Sequence, residues 1–236
     1  MGNAVRNIQA DYTGRPWLAT SRGLYSQFSA DSFSLASFGV ASYHQESVNN
    51  IFAIASGTTD LYVGTAQGFV VLDSASSSDT TRYDTADGLP GQLVGTLQIE
   101  VDADTLWMGT IKGLTLFVVD SATINTSEID STAGKLIHAM AIDCTGGTWY
   151  GSDKGLERQY LSYWFSYDTS DGLSSVPVYA LAVDTSGNLW IGNDAGVDVF
   201  DMDTTWTNYD DDSLGVGPQV RALAHDKVDN IMWIGT

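Results

Sequence analysis

Residues 189–196 read Leu-Trp-Ile-Gly-Asn-Asp-Ala-Gly, and close variants of this phrase occur six times in the chain. The aromatic residues that anchor the copies are 45, 45, 42, 41 and 43 residues apart. They are Trp17, Tyr62, Trp107, Trp149, Trp190 and Trp233. Self-similarity at one period is typical of a repeat architecture. We therefore expect a fold of repeated units, with any activity located where one unit differs from the others.

One unit, over 178–209, shows four short strands in succession. Val178–Asp184 is apolar and too short for a helix, so it predicts a buried strand. Leu189–Gly192 and Val197–Asp201 follow, each after a turn that contains Gly, and Thr205–Tyr209 makes a fourth strand. Four antiparallel strands per repeat, with no helical periodicity, predict an all-β fold made of β-propeller blades.

The first strand of each unit begins with four residues, of which the first and fourth are aliphatic or Met. Residues three apart on a strand face opposite sides of the sheet, so we expect both faces to be buried between neighbouring blades. The Gly two residues after most of the aromatic anchors predicts close approach of a neighbouring chain segment. The six predicted starts are Val5–Ile8, Val48–Ile51, Val94–Leu97, Ile137–Met140, Val178–Leu181 and Val220–Leu223.

The repeat over 167–196 resembles the two-component regulator propeller repeat. It carries Tyr-Asp-Thr-Ser-Asp-Gly-Leu from Tyr167, then Val-Tyr-Ala-Leu-Ala-Val-Asp from Val178, then the 189–196 phrase. The likeness extends over essentially the whole chain and is weaker in the first two units. It implies a β-propeller like the periplasmic sensor regions of hybrid histidine kinases, many of which respond to oligosaccharides. Related propellers include the streptogramin lyases.

The strand count predicts five full blades and a two-stranded remnant in one propeller domain, 1–236. The expected blades are roughly 1–46, 47–91, 92–134, 135–175, 176–217 and an incomplete 218–236. Three arrangements stay open: a fragment of a ring of six to eight blades, a six-bladed ring with a truncated last blade, or five closed blades with a spare hairpin. Because the chain stops inside its own motif, we expect a piece of a longer protein. Strand edges without partners favour self-association.

The composition excludes some partners. The net charge is −19, from 29 acidic and 10 basic residues, which argues against nucleic acid and against anionic membranes. Cys144 is the only cysteine, so no intrachain disulfide is expected. The first residues show no apolar leader segment. The resemblance implies a periplasmic or extracellular parent protein, and the cytoplasm stays open as an alternative.

The candidate binding residues lie in two sets of equivalent positions, in loops of one propeller face. The residue before the turn Gly is basic in three units, and the second residue of the first strand is Arg, Asn, Gly, His, Tyr or Arg. We predict a cationic and aromatic rim for a carboxylated, sulfated or sugar ligand; the alternative is a set of mixed polar residues on exposed turns. The predicted ligand-binding residues are Arg6, Arg22, Lys112, His138, Lys154, Tyr179 and Arg221.

No catalytic residue, metal site or cofactor is predicted. His44, His138 and His225 lie in different units without metal-ligand spacing. The acidic runs 201–203 and 210–212 lack the spacing of a calcium loop and are interpreted as solvated turns. The sequence therefore predicts a non-catalytic ligand-binding or sensor module. The alternatives are a lyase or carbohydrate-active enzyme on the same scaffold, and an assembly module that associates through blade edges.

Overall fold

The computed structural model describes residues 4–29, 32–35, 50–73, 80–100, 105–125, 132–215 and 219–236. Its contacts divide the chain into two compact units, Met1–Gly134 and Lys135–Thr236. Both units consist of antiparallel sheets whose strands follow one another in chain order. The expectation of an all-β fold is confirmed, with one short helical turn as the addition.

The first unit contains three four-stranded sheets. The first sheet is β1 (Val5–Ala10), β2 (Pro16–Thr20), β3 (Gly23–Ser29) and β4 (Ser32–Leu35). The second is β5 (Ile51–Ser56), β6 (Asp60–Thr65), β7 (Gly68–Asp73) and β8 (Thr80–Tyr83). The third is β9 (Val94–Glu100), β10 (Thr105–Thr110), β11 (Gly113–Val118) and β12 (Thr123–Asn125).

The second unit contains two four-stranded sheets and one two-stranded sheet. The strands of the first are β13 (Ile137–Ile142), β14 (Thr148–Ser152), β15 (Gly155–Tyr160) and β16 (Tyr163–Tyr167). The next are β17 (Val178–Val183), β18 (Leu189–Asn193), β19 (Gly196–Phe200) and β20 (Trp206–Tyr209). The helical turn α1 (Asp211–Leu214) leads to β21 (Ala222–Asp226) and β22 (Ile231–Gly235). Five full sheets and a two-stranded remainder confirm the predicted strand count.

Within each unit the first strands of successive sheets lie side by side. β5 contacts β1 and β9, and β17 contacts β13 and β21. Ile51, Val94 and Val178 are fully buried where these strands meet. β1 departs from the expectation, because Val5 and Ile8 are exposed. In the described part of the first unit, a sheet packs on only one side of β1, which explains that exposure.

The repeated glycines after the aromatic anchors permit this close packing, as expected. A Cβ built on Gly64 would lie 2.6 Å from the carbonyl oxygen of Val94 in the next sheet. A Cβ on Gly192 would lie 2.7 Å from Cγ1 of Val220. Separations this short do not occur for real Cβ atoms, so only Gly lets the next first strand approach.

Two predicted strand starts are wrong. The first strand of the second sheet begins at Ile51, which pairs with Thr65 just as Val94 pairs with Thr110. Its second residue is therefore Phe52, whereas Val48 and Asn49 lie outside the described residues. Val48 and Ile51 are both aliphatic, so both fit the sequence pattern that opens a first strand. The pairing of Ile51 with Thr65, the last residue of β6, shows that the strand begins at Ile51.

The last sheet begins two residues later than expected, at Ala222. Val220 precedes the strand, is fully buried, and its backbone N–H donates to the carbonyl oxygen of Asn193 at 3.0 Å. The aliphatic residue that was predicted to open the strand therefore anchors the preceding segment to the neighbouring sheet.

A carboxylate closes the first hairpin in four of the sheets. Asp11, Asp143 and Asp184 each accept a hydrogen bond at 2.9 Å from the indole Nε1–H of the tryptophan six residues later. Glu100 does the same for Trp107 at 2.8 Å. The aspartates also accept backbone N–H groups of their own turns. The turn is thereby fixed to the aromatic anchor of the second strand.

Candidate functional site

The second residue of the first strand is displaced from the sheet by a β-bulge in all five four-stranded sheets, and in the third sheet this residue is Gly95. In β13 the pairing passes from Ile137–Ser152 directly to Ala139–Gly151, so His138 is the extra residue. The same shift occurs around Tyr179 in β17, and around Arg6 and Phe52 in the first unit. A bulge re-aims the side chain of the extra residue. Equivalent side chains from successive sheets are thus presented at the same end of the first strands.

In the second unit two of these side chains and Arg221, which precedes β21, form a continuous row. The ring centroids of His138 and Tyr179 are 5.1 Å apart, and the guanidinium carbon of Arg221 lies 3.5 Å from the centroid of the Tyr179 ring. Asp194 accepts from the Tyr179 hydroxyl and from Arg221 Nη2, both at 3.2 Å. We call His138, Tyr179 and Arg221 the bulge row. It combines an aromatic ring, one face of which the Arg221 guanidinium covers, with the hydrogen-bonding groups of Arg221 and Asp194.

The imidazole of His138 has an unused ring nitrogen. Its Nε2 is buried and has no hydrogen-bond partner among the described residues. Burial lowers the pKa of His138; the nearby Asp153 carboxylate opposes this, and the Arg221 guanidinium adds to it. The ring is therefore mainly neutral at pH 7, and Nε2 is a buried nitrogen with unused hydrogen-bonding capacity.

Charged groups near the bulge row occur in opposite pairs. Lys154 is exposed and its Nζ lies 3.2 Å from a carboxylate oxygen of Asp153. Arg221 is paired with Asp194. Lys154 and Arg221, two of the five cations that sequence analysis assigned to a positive rim, are thus each matched by a carboxylate. This local balance suits a neutral polar ligand better than a carboxylated or sulfated one.

The first unit holds a smaller version of the same arrangement. The guanidinium carbon of Arg6 lies 4.0 Å from the ring centroid of Phe52. Arg6 Nη1 donates to the side-chain oxygen of Asn50 at 2.6 Å. Arg22 and Lys112 are exposed residues of the turns that precede β3 and β11, where their backbone N–H groups donate to threonine hydroxyls.

A cavity of about 460 Å³ in the first unit lies at the opposite end of the same first strands. Tyr12, Asp60 and Glu100 line it. Two of its carboxylates already serve the fold: Glu100 accepts from Trp107, and Asp60 accepts from the Thr59 hydroxyl at 3.1 Å.

The other chemical candidates from the sequence are structural in the described residues. Asp201 accepts three backbone N–H groups of its own turn, with Thr205 as the main cause of a pKa lowered to about 2. Asp210 accepts from the N–H of Ser213. His225 is half-buried with Nε2 3.1 Å from Asn230. No group of three His, Cys, Asp or Glu side chains that could hold a metal ion occurs in the described ranges. His44 lies outside them.

The family described as two component regulator propeller matches residues 172–195. This stretch is similar to a two-component regulator propeller repeat. It contains β17 and nearly all of the 189–196 phrase. No curated protein matches the sequence of the chain. The resemblance inferred from the sequence is thus confirmed at the repeat where the motif is clearest.

Solved structures show the propeller fold. The chain matches the extracellular domain described as that of the putative hybrid two component system BT4673 of B. thetaiotaomicron, with a TM-score of 0.73 and 17% identity, over 100% of this chain and 38% of that one. PorZ, a surface component of the type-IX secretion system of Porphyromonas gingivalis, gives 0.68 and 16%, over 99% and 37%. Virginiamycin B lyase of Staphylococcus aureus gives 0.76 and 11%, over 99% and 78%. The chain therefore spans about two fifths of the length of the first two proteins.

Among the described residues, no helix has the length and apolar character needed to cross a membrane.

Proposed function

We propose that the chain is a non-catalytic part of an extracytoplasmic sensor propeller and that the bulge row binds a neutral oligosaccharide. The observation that carries the proposal is the alignment of His138, Tyr179 and Arg221 from three adjacent sheets. The similarity to extracellular domains of two component systems supports the sensor role and the location.

The chemistry of the row supports a saccharide. The Arg221 guanidinium lies over one face of the Tyr179 ring, so the C–H face of a sugar would pack on the outer flat side of this guanidinium, with its hydroxyl groups free to hydrogen-bond beside it. Asp194 and Arg221 supply an acceptor and donors next to the Tyr179 ring. Because each nearby cation is paired with a carboxylate, the local charge is balanced, and a neutral ligand matches it better than a charged one.

Calorimetric titration with a panel of neutral, carboxylated and sulfated oligosaccharides tests the proposal. We expect a neutral member to bind and Tyr179→Ala to weaken it about tenfold, which corresponds to about 1.4 kcal/mol. Tyr163→Ala is the matched control, because Tyr163 is an exposed tyrosine on the outer strand of the preceding sheet. Absence of binding by any neutral member, or equal losses in both variants, would contradict the proposal.

Self-association is a second candidate, and the exposure of Trp233 favours it. This residue is 63% exposed, whereas its counterpart Trp149 is fully buried. The outer edge of β22 pairs with no other strand among the described residues. We propose that a second copy covers this sheet. Light scattering over a concentration series should show a rising mass that Trp233→Lys abolishes; a constant monomer mass would refute it.

The lyase alternative is supported only by fold similarity, at 11% and 12% identity. No contact in the described residues favours it over binding.

A further inference from the structure

A cavity of about 110 Å³ lies in the second unit, beside the turn that joins β14 to β15. Glu157 of β15 lines its wall, with Ser152 and Ser166 from the two neighbouring strands. A volume of this size holds several water molecules or one small polar group. The cavity shares no residue with the bulge row.

Half of the Glu157 carboxylate is unsatisfied. The side chain is only 5% exposed, and one oxygen accepts from the ammonium group of Lys135. The second oxygen, Oε2, is buried and has no hydrogen-bond partner within the described ranges. Burying a carboxylate oxygen without a donor is costly, so such an atom calls for an occupant that donates a hydrogen bond.

The next sheet shows how the chain satisfies a carboxylate at the same place. Asp198 is the third residue of β19, as Glu157 is of β15, and it is fully buried. It accepts four hydrogen bonds: from the N–H and hydroxyl of Ser174, at 2.9 and 2.6 Å, and from the amide nitrogens of Asn193 and Asn208, at 2.8 and 2.6 Å.

The cavity exists because two of these donors are replaced by shorter side chains. Strand register places Ser152 opposite Gly155 where Asn193 stands opposite Gly196. It also places Ser166 opposite Glu157 where Asn208 stands opposite Asp198. Serine lacks the amide group that reaches the carboxylate in the next sheet. Donors are therefore missing where the empty volume lies.

We propose that this cavity admits one hydroxyl-bearing edge of the terminal sugar of a neutral oligosaccharide, and that this hydroxyl donates to Oε2 of Glu157. The proposal takes the ligand class from the proposed function. Lys135 and Lys154 line the cavity and disfavour a cationic amine, while Glu157 and Asp168 disfavour an anion. Hydroxyl and amide donors serve the equivalent carboxylate in the next sheet, and hydroxyls are what a sugar offers.

The test uses the whole chain labelled with ¹⁵N and titrated with glucose, galactose, xylose and N-acetylglucosamine. We expect one of them to cause saturable shifts of the Gly155 and Leu156 amides, which lie at the cavity. Ser166→Asn supplies the donor that Asn208 supplies in the next sheet, and it should weaken these shifts at least tenfold. Because that side chain would satisfy Glu157 internally, the melting temperature should stay unchanged or rise.

Asp198→Asn is the matched control in the next sheet. It should lower the melting temperature and leave sugar binding unchanged, which separates lost binding from lost stability. Unaltered affinity in Ser166→Asn would overturn the proposal. Wild-type protein that shows no saturable shift with any sugar would also overturn it and would assign the cavity to water alone.

The same variants separate this inference from the proposed function. If Tyr179→Ala abolishes oligosaccharide binding and Ser166→Asn does not change it, the bulge row stands and the cavity proposal fails. If Ser166→Asn weakens sugar binding and Tyr179→Ala has no effect, the cavity stands and the bulge-row proposal fails.

Discussion

Replacing Asp143 with Ala should destabilise the second unit more than the equivalent substitution of Asp184 in the next sheet. The Asp143 side chain is 1% exposed. Its oxygens accept from Trp149 Nε1 at 2.9 Å, from the Gly147 N–H at 2.9 Å, and from Thr145. They also accept from Nε and Nη2 of Arg158, at 2.9 and 2.6 Å. Alanine removes every one of these acceptors.

The magnitude follows from what the substitution leaves behind. Arg158 is 16% exposed and would lose its partner, and loss of one member of a buried ion pair costs about 3–5 kcal/mol. The buried indole N–H of Trp149 would also lose its acceptor, which costs about 1–3 kcal/mol. Because these groups form one network, the costs are not additive, and we expect about 3–5 kcal/mol in total.

Asp184→Ala provides the matched control. Asp184 closes the same turn in the next sheet and accepts from Trp190 Nε1 at 2.9 Å, and the hydrogen bonds described for it come from no arginine. We expect it to cost about 1–2 kcal/mol, as for loss of a turn-closing side chain. Urea unfolding at pH 7, followed by circular dichroism, measures both. A loss for Asp143→Ala no larger than that for Asp184→Ala would refute the argument.

The pH dependence gives a second readout of Asp143. Burial raises the pKa of its carboxyl, but hydrogen bonds from Thr145, Trp149 and Gly147 outweigh that effect, so the folded-state pKa is below the ordinary value. The contribution is therefore complete above about pH 4 and is lost as pH falls through the depressed folded-state pKa. The stability difference between wild type and Asp143→Asn should shrink in that acid range.

Three further predictions concern packing and turns. Gly192→Ala would place a Cβ 2.7 Å from Val220 and should cost about 1–3 kcal/mol; thermal unfolding of the single and double variants with Val220→Ala should show coupling between the two sites. Arg6→Ala should cost about 0.5–1 kcal/mol by loss of the stack on Phe52, measured by thermal denaturation with Arg6→Lys as an intermediate. The Asp201 carboxyl should titrate with a pKa of about 2 by carbon NMR, and a midpoint at the ordinary aspartate value would contradict the turn geometry.

The sheets could be predicted from the sequence because each blade repeats similar residue types at the same positions. The phrase at 189–196 contains a strand, a turn and the Gly that begins the next strand, and its spacing fixes the number of sheets. The start of β5 could not be fixed in this way. Val48 and Ile51 are both aliphatic, and only the pairing of Ile51 with Thr65 selects the register.

The hydrogen bonds between the turn carboxylates and the tryptophan indoles were not predicted, although the sequence shows the spacing that they require. An acidic residue stands six or seven positions before Trp17, Trp107, Trp149 and Trp190. Such a separation brings two side chains together only when a tight hairpin lies between them, so the pair is visible once the hairpin is known. Sequence analysis placed Asp184 at the end of a buried strand, and its hydrogen bond from the indole depends on the hairpin geometry that follows.

The bulge row contains three residues that sequence analysis had placed at equivalent positions. The structure places His138, Tyr179 and Arg221 side by side, because a repeat brings like positions together, and their role in ligand binding stays a prediction. Asp194, which pairs with Arg221, lies in the turn between β18 and β19. A comparison of residues at one equivalent position of each repeat does not include this carboxylate, so its charge was not taken into account. Basic residues at equivalent positions therefore overstate the positive electrostatic potential of a repeat protein that has 29 acidic and 10 basic residues.

The cavity at Glu157 illustrates why differences between repeats are more informative than their similarities. The third position of the third strand holds Tyr25, Val70 and Thr115 in the first unit, and an acid in both full sheets of the second. A buried acid is tolerated only with donors, and the two sheets differ in whether the chain supplies them. In the Asp198 sheet the chain itself provides the hydrogen-bond donors, so they stabilise the fold and leave no binding site. In the Glu157 sheet the donors are missing, and a molecule that provides them would be bound by the same physics that stabilises its neighbour.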